Sequence, residues 1–156
     1  MNKNTAPWQT ALRIILFILV IACAATIFYL SSQVAEDSNG TSYSLLDFLG
    51  LSKELNSIIR ETAHGIEYLG FAALICAFLR SKDIEVLKSI IFSVLIGIAY
   101  AVTDEIHQIF VPGRAFELFD ICIDSAGAAI GALLMTAFIA VIFRKSRKRK
   151  NKENNS

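Results

Sequence analysis

The sequence predicts an all-α integral membrane protein of four transmembrane helices, and three observations carry that expectation. Hydrophobic residues make up 54% of the 156 residues and charged residues only 19%. The charges are bunched, which leaves four long, nearly uncharged apolar blocks between them. Each block approaches or exceeds the roughly 20 residues that a helix needs to cross a hydrocarbon core. The chain carries no glycine-rich phosphate loop and no GxSxG elbow, so the most familiar nucleotide-binding and hydrolase signatures are absent.

The first block runs over about 11–30, preceded by Lys3 and Trp8 and carrying Arg13 in its first turn. Arg13 can snorkel to the headgroups and Trp8 suits the interface, so the block can span in spite of that charge. Val20, Ile21, Ala22 and Cys23 loosely resemble a lipoprotein cleavage site, but apolar residues continue to Leu30. The run is therefore longer than a usual signal-peptide core. Residues 31–62 are polar, with Ser31, Ser32, Asn39 and Gly40 supplying loop chemistry. Within this loop Leu51, Leu55, Ile58 and Ile59 recur at spacings of three and four, with Ser52 as an N-cap, which predicts an amphipathic interfacial helix; Tyr43 to Leu49 is a second candidate.

The second block, about 63–79, ends at Arg80; the third covers about 86–110 and the fourth about 119–143. Residues 1–143 thus read as one four-helix domain, and 144–156 as a basic tail. Twelve of the fifteen Lys and Arg residues fall on one side of the predicted membrane, in the N-terminal segment, the second connector and the tail. The other three, Lys53, Arg60 and Arg114, fall on the opposite side. The positive-inside rule then places both termini in the cytoplasm of a plasma-membrane protein, with the loops 31–62 and 111–118 outside. The tail follows directly on a span, so it reads as an anchor on anionic lipid and not as a nucleic-acid site. Cys23, Cys76 and Cys122 each sit inside an apolar run with no CxxC spacing, which fits buried packing residues and gives no disulfide framework.

With this topology the ionisable residues within the spans fall at one level. His64 and Glu67 are three apart near the outer start of the second span, with Tyr68 beside them. Asp104, His107 and Gln108 share a face at the outer end of the third, with Tyr100 a turn deeper, and Asp120 and Asp124 do the same at the start of the fourth. Glu105 lies about 100° round from Asp104 and points toward a neighbouring helix. Val111, Pro112, Gly113 and Arg114 predict a tight turn that holds the third and fourth spans antiparallel and returns Arg114 to the carboxylates. Gly127 and Gly131 continue the Asp120 and Asp124 face as a GxxxG, where another helix can approach closely. Ionisable groups at such depth are expensive, on the order of 3 kcal/mol or more unless paired or wet, and their default reading is functional.

The pieces SSQ at Ser31, Ser32 and Gln33, AHGIEY at Ala63 to Tyr68, and DEIHQIFVPGR at Asp104 to Arg114, with the Asp120 and Asp124 pair running into Gly127 and Gly131, resemble the VanZ-like membrane proteins. The chain departs from that pattern at Glu61, where the family often carries a basic residue, and at Gly65, where an aromatic often follows the histidine. The resemblance implies a multi-pass envelope protein connected with teicoplanin or glycopeptide susceptibility.

Three functions of different classes are compatible with these residues. In the first, the outer site binds a polar lipid headgroup, a cell-wall lipid intermediate or a lipoglycopeptide through Ser31, Ser32, His64, Glu67, Tyr68, Asp104, Glu105, Gln108, Arg114, Asp120 and Asp124, with Arg114 as the anion contact. In the second, an enzyme acts on a lipid headgroup, with His64 or His107 as general acid or base oriented by Glu67 or Asp104. A divalent metal is compatible with that reading, held by His64, Glu67, Asp104 and Asp120 or Asp124. In the third, the same residues form an ion-pair network that locks the helices of an assembly protein.

Overall fold

The computed structural model describes residues 6–33 and 56–153, with side chains described over 6–33 and 62–144. Four helices make up these residues: α1 (Pro7–Ser31), α2 (Asn56–Ser81), α3 (Val86–Gln108) and α4 (Leu118–Glu153). Each is long and apolar enough to cross a membrane, over Pro7–Ser31, Thr62–Ser81, Val86–Gln108 and Leu118–Arg144. At 1.5 Å per residue α1 alone is about 37 Å long, against a hydrocarbon core of roughly 30 Å. The amphipathic helix expected around 51–59 and the piece at 43–49 lie largely outside the described residues; only from Asn56 onward is the chain seen, already as α2. Helix α4 runs on to Glu153, so the basic stretch begins as a continuation of the last span.

Large apolar side chains cover the outside of the bundle: Ile15 and Ile18 on α1, Leu95 on α3, and Leu134 and Phe138 on α4 are each about half exposed or more. In water so much contiguous apolar surface would drive association; in lipid it is simply solvated. Lipid gives no hydrophobic reason for helices to meet, so their contacts depend on close backbone approach and polar bonds.

Both devices are used. Helix α2 touches each of the other three helices, α4 most extensively, while α1 and α4 do not meet among the described residues. The close α2–α4 approach is made by glycine. A Cβ at Gly127 would run into the carbonyl of Gly65, and one at Gly131 into the carbonyl of Leu69 one turn on. The constant offset shows that α2 and α4 run parallel, each starting at the same end of the bundle. Gly65 itself faces Ile123, which explains why a small residue suits the position after His64. On α3 the buried stripe is equally small, Ser89, Ser93, Gly97 and Ala101, and a Cβ at Gly97 would come 2.7 Å from Cβ of Ala128.

Helix α1 is tied on by hydrogen bonds. The Tyr100 hydroxyl donates to the carbonyl of Ala24 at 2.7 Å, and Arg13 Nε donates to the carbonyl of Ser81 at 2.9 Å. The guanidinium of Arg13, expected at the headgroups, caps the last carbonyl of α2, that of Ser81, which has no partner within its own helix. Ile27, Tyr68, Phe71, Ile75 and Ala101 form the apolar core.

Candidate functional site at one end of the bundle

The site lies where α1 and α3 end and α2 and α4 begin, the end opposite the chain termini. The α3–α4 connection sets its geometry. Pro112 and Gly113 occupy the middle of a turn closed by the Arg114 N–H donating to the Val111 carbonyl at 3.1 Å. Gly113 has a φ of 77°, the left-handed backbone that a type II turn demands at its third position. A carboxylate then pins the rest of the connection: Glu105 Oε2 accepts the Glu117 backbone N–H at 2.8 Å. Glu105 does point away from the Asp104 face, as its angular offset suggests, and its partner is the incoming backbone of the next helix.

Four helices contribute buried polar groups at this level. Ser31 (0% exposed) comes from α1, Tyr68 (0%) from α2, Asp104 (5%) and Glu105 (1%) from α3, and Asp124 (3%) from α4. On α2, His64 Nδ1 lies 3.4 Å from Glu67 Oε2. On α3, the Gln108 amide reaches Asp104 Oδ2 at 3.5 Å, at the limit of a hydrogen bond. His64, Asp104 and Asp124 are in electrostatic range of one another, and Asp120 adds to the field at Asp124. Ser31 approaches Asp104 from the α1 side. Arg114, half-buried at the turn, and Asp120 have interaction partners of their own.

Polar atoms that remain without hydrogen-bond partners among the described residues include Ser31 Oγ, His64 Nδ1, Glu67 Oε2, Tyr68 Oη, Asp104 Oδ1 and Asp124 Oδ1. Burying such an atom unpaired costs about 1–3 kcal/mol. Native proteins accept that where a ligand, ion or water supplies the missing bond.

The two candidate histidines separate. His64 sits inside the cluster against Glu67. His107 turns to α1, stacking on Phe28 with ring centroids 4.5 Å apart and meeting Ser32 Oγ at 3.2 Å from Nε2. The Ser32 hydroxyl donates its one proton to the carbonyl of Phe28 at 2.6 Å, so His107 Nε2 is the donor to Ser32. Ser31 and Ser32 thus divide, one toward the carboxylates and one toward this α1–α3 clasp. Phe28 escapes a reading of the sequence because nothing distinguishes it from the other apolar residues of its run. The Glu117 N–H escapes it because backbone groups leave no mark in a sequence.

Among the described residues no three His, Cys, Asp or Glu side chains are grouped closely enough to hold a metal ion. Metal binding by His64, Glu67, Asp104 and Asp124 would therefore require their side chains to move.

No curated protein and no solved structure matches the chain. The VanZ/LLP1 family model does match, over residues 16–144, a stretch that begins within α1, ends with the spanning part of α4 and contains every residue of the site. The chain is a membrane protein of the VanZ/LLP1 family, with four apolar spanning helices among its described residues.

Proposed function

We propose that this protein binds the polar headgroup of an envelope lipid or of a cell-envelope precursor in the site at the α3–α4 turn, and that the site faces outward with both termini in the cytoplasm. The observation that carries this reading is the set of unpartnered buried atoms, Ser31 Oγ, Tyr68 Oη, Asp104 Oδ1 and Asp124 Oδ1, supplied by all four helices at one level. A network whose role was only to lock helices together would pair its buried carboxylates. The basic α4 continuation and the positive residues at the opposite end support the orientation. A protein that holds an envelope lipid or a lipoglycopeptide in this way would alter teicoplanin or other glycopeptide susceptibility.

A second reading has one specific observation in its favour. His64, with Nδ1 against Glu67, has the oriented imidazole of a general base, which would make the protein an enzyme acting on the headgroup it binds. Glu67→Gln and Asp104→Asn test both. They abolish the envelope phenotype, read as glycopeptide susceptibility of the expressing cells, while full-length protein still accumulates in the membrane. Loss of folded protein from both variants would instead support the ion-pair network. Turnover of the bound lipid by wild type but not by Glu67→Gln would select the enzyme.

A further inference from the structure

The geometry points to a primary ammonium as the group the site receives: the bound headgroup places a positively charged, hydrogen-bond-donating amine between Asp104, Asp124 and Tyr68. This rests on the headgroup-binding reading and specifies its chemistry. The argument is one of donors and acceptors. Glu67, Asp104, Asp120 and Asp124 crowd the site, and an ionised carboxylate only accepts. Two donors in place serve one oxygen each: the Gln108 amide reaches Asp104 Oδ2 and the Glu117 N–H satisfies Glu105 Oε2, while His64 Nδ1 stands 3.4 Å from Glu67 Oε2 without a hydrogen bond. The atoms left open include three carboxylate oxygens, Glu67 Oε2, Asp104 Oδ1 and Asp124 Oδ1, against the single nitrogen His64 Nδ1 and the two-way hydroxyls of Ser31 and Tyr68.

Tyr68 is an independent indication. Its ring is fully buried and its hydroxyl has no hydrogen-bond partner among the described residues, although Asp104 and Asp124 are within electrostatic range. An ammonium has three donors and no acceptor, which matches two carboxylate oxygens and one phenol oxygen. The wall behind it is aromatic: Tyr68 and Tyr100 stand 6.2 Å apart by ring centroid, and Phe71 and Tyr100 5.1 Å. A phosphate or carboxylate in the same place would meet the acidic side chains Glu67, Asp104, Asp120 and Asp124, so the anionic part of a headgroup stays outside the cluster.

The test uses the full-length protein in detergent with two soluble headgroups, glycerophosphoethanolamine and glycerophosphoglycerol, titrated by calorimetry. They share the glycerophosphate part and differ in whether an amine or hydroxyls lie beyond the phosphate. The amine probe binds about tenfold tighter or more, and Asp124→Asn reduces that ratio toward one with an unchanged elution volume and helical circular dichroism. The primary comparison is made on wild type, so it does not depend on any variant folding. Equal binding of the two probes overturns the ammonium assignment and leaves headgroup binding standing. Absence of binding by either overturns both.

Discussion

Replacing Gly131 with alanine adds one methyl group, and the α2–α4 interface has no room for it. The new Cβ would run into the carbonyl oxygen of Leu69 and lie 2.8 Å from its carbonyl carbon and 2.9 Å from its Cα. Carbon atoms in ordinary contact sit about 3.5–4.0 Å apart, so the two helices must part by about 1 Å. The obstacle is backbone on both sides, and no rotamer change relieves it. Overpacking of this kind costs about 1–3 kcal/mol. For a chain of this size that corresponds to a fall in Tm of roughly 2–12 °C. Gly70 supplies the control, because a Cβ there meets nothing within 4 Å. Gly70→Ala is expected to be neutral, or stabilising by up to about 1 kcal/mol through helix propensity. The assay is thermal unfolding of purified protein in one detergent, followed by circular dichroism. Because Leu69 directly follows Tyr68, parting the helices also draws Tyr68 and Glu67 away from Asp124, so lipid retention falls together with Tm. If Gly131→Ala and Gly70→Ala melt together, the close glycine-mediated contact is not what holds α2 to α4.

Three further outcomes follow from single contacts. Glu105→Ala leaves the Glu117 N–H without its acceptor and lowers stability by about 1–3 kcal/mol, whereas Glu105→Gln, whose amide oxygen still accepts, stays close to wild type; thermal unfolding of the pair reads the difference. Tyr100→Phe removes the hydroxyl bond to Ala24 and costs about 0.6 kcal/mol, the usual worth of an interhelical hydrogen bond in a membrane, measured in the same way. Dialysis against EDTA leaves Tm unchanged, since no three ligating side chains are grouped among the described residues; a clear drop reversed by one divalent ion would show that the site rearranges around a metal.

The fold was legible because lipid imposes a length and a composition on any helix that crosses it. The four apolar blocks correspond to α1 to α4, and the glycine spacing on α4 correctly marked a face of close approach. The helical periodicity also brought His64 and Glu67 together and put Asp104 in reach of Gln108, since residues three and four apart share a face. What periodicity lacks is the order of helices around the bundle. His107 is three residues from Asp104, yet it serves the clasp with Phe28 and Ser32 because α1 happens to pass on that side. Arg13 likewise found the end of α2 because those two helices are neighbours. Glu105 shows the same limit in another form: its buried carboxylate has a backbone partner twelve residues on, and only the folded turn brings the two together.

The central claim is that the buried polar groups at this end of the bundle exist to hold a ligand. Mass spectrometry of the lipids retained by protein purified from membranes in a mild detergent tests it most directly. Wild type should retain one class of polar lipid in stoichiometric amount, enriched over the bulk membrane. Asp104→Asn and Asp124→Asn should lose it while remaining folded and monodisperse. A retained lipid pool that mirrors the bulk membrane and does not change in either variant would contradict the claim.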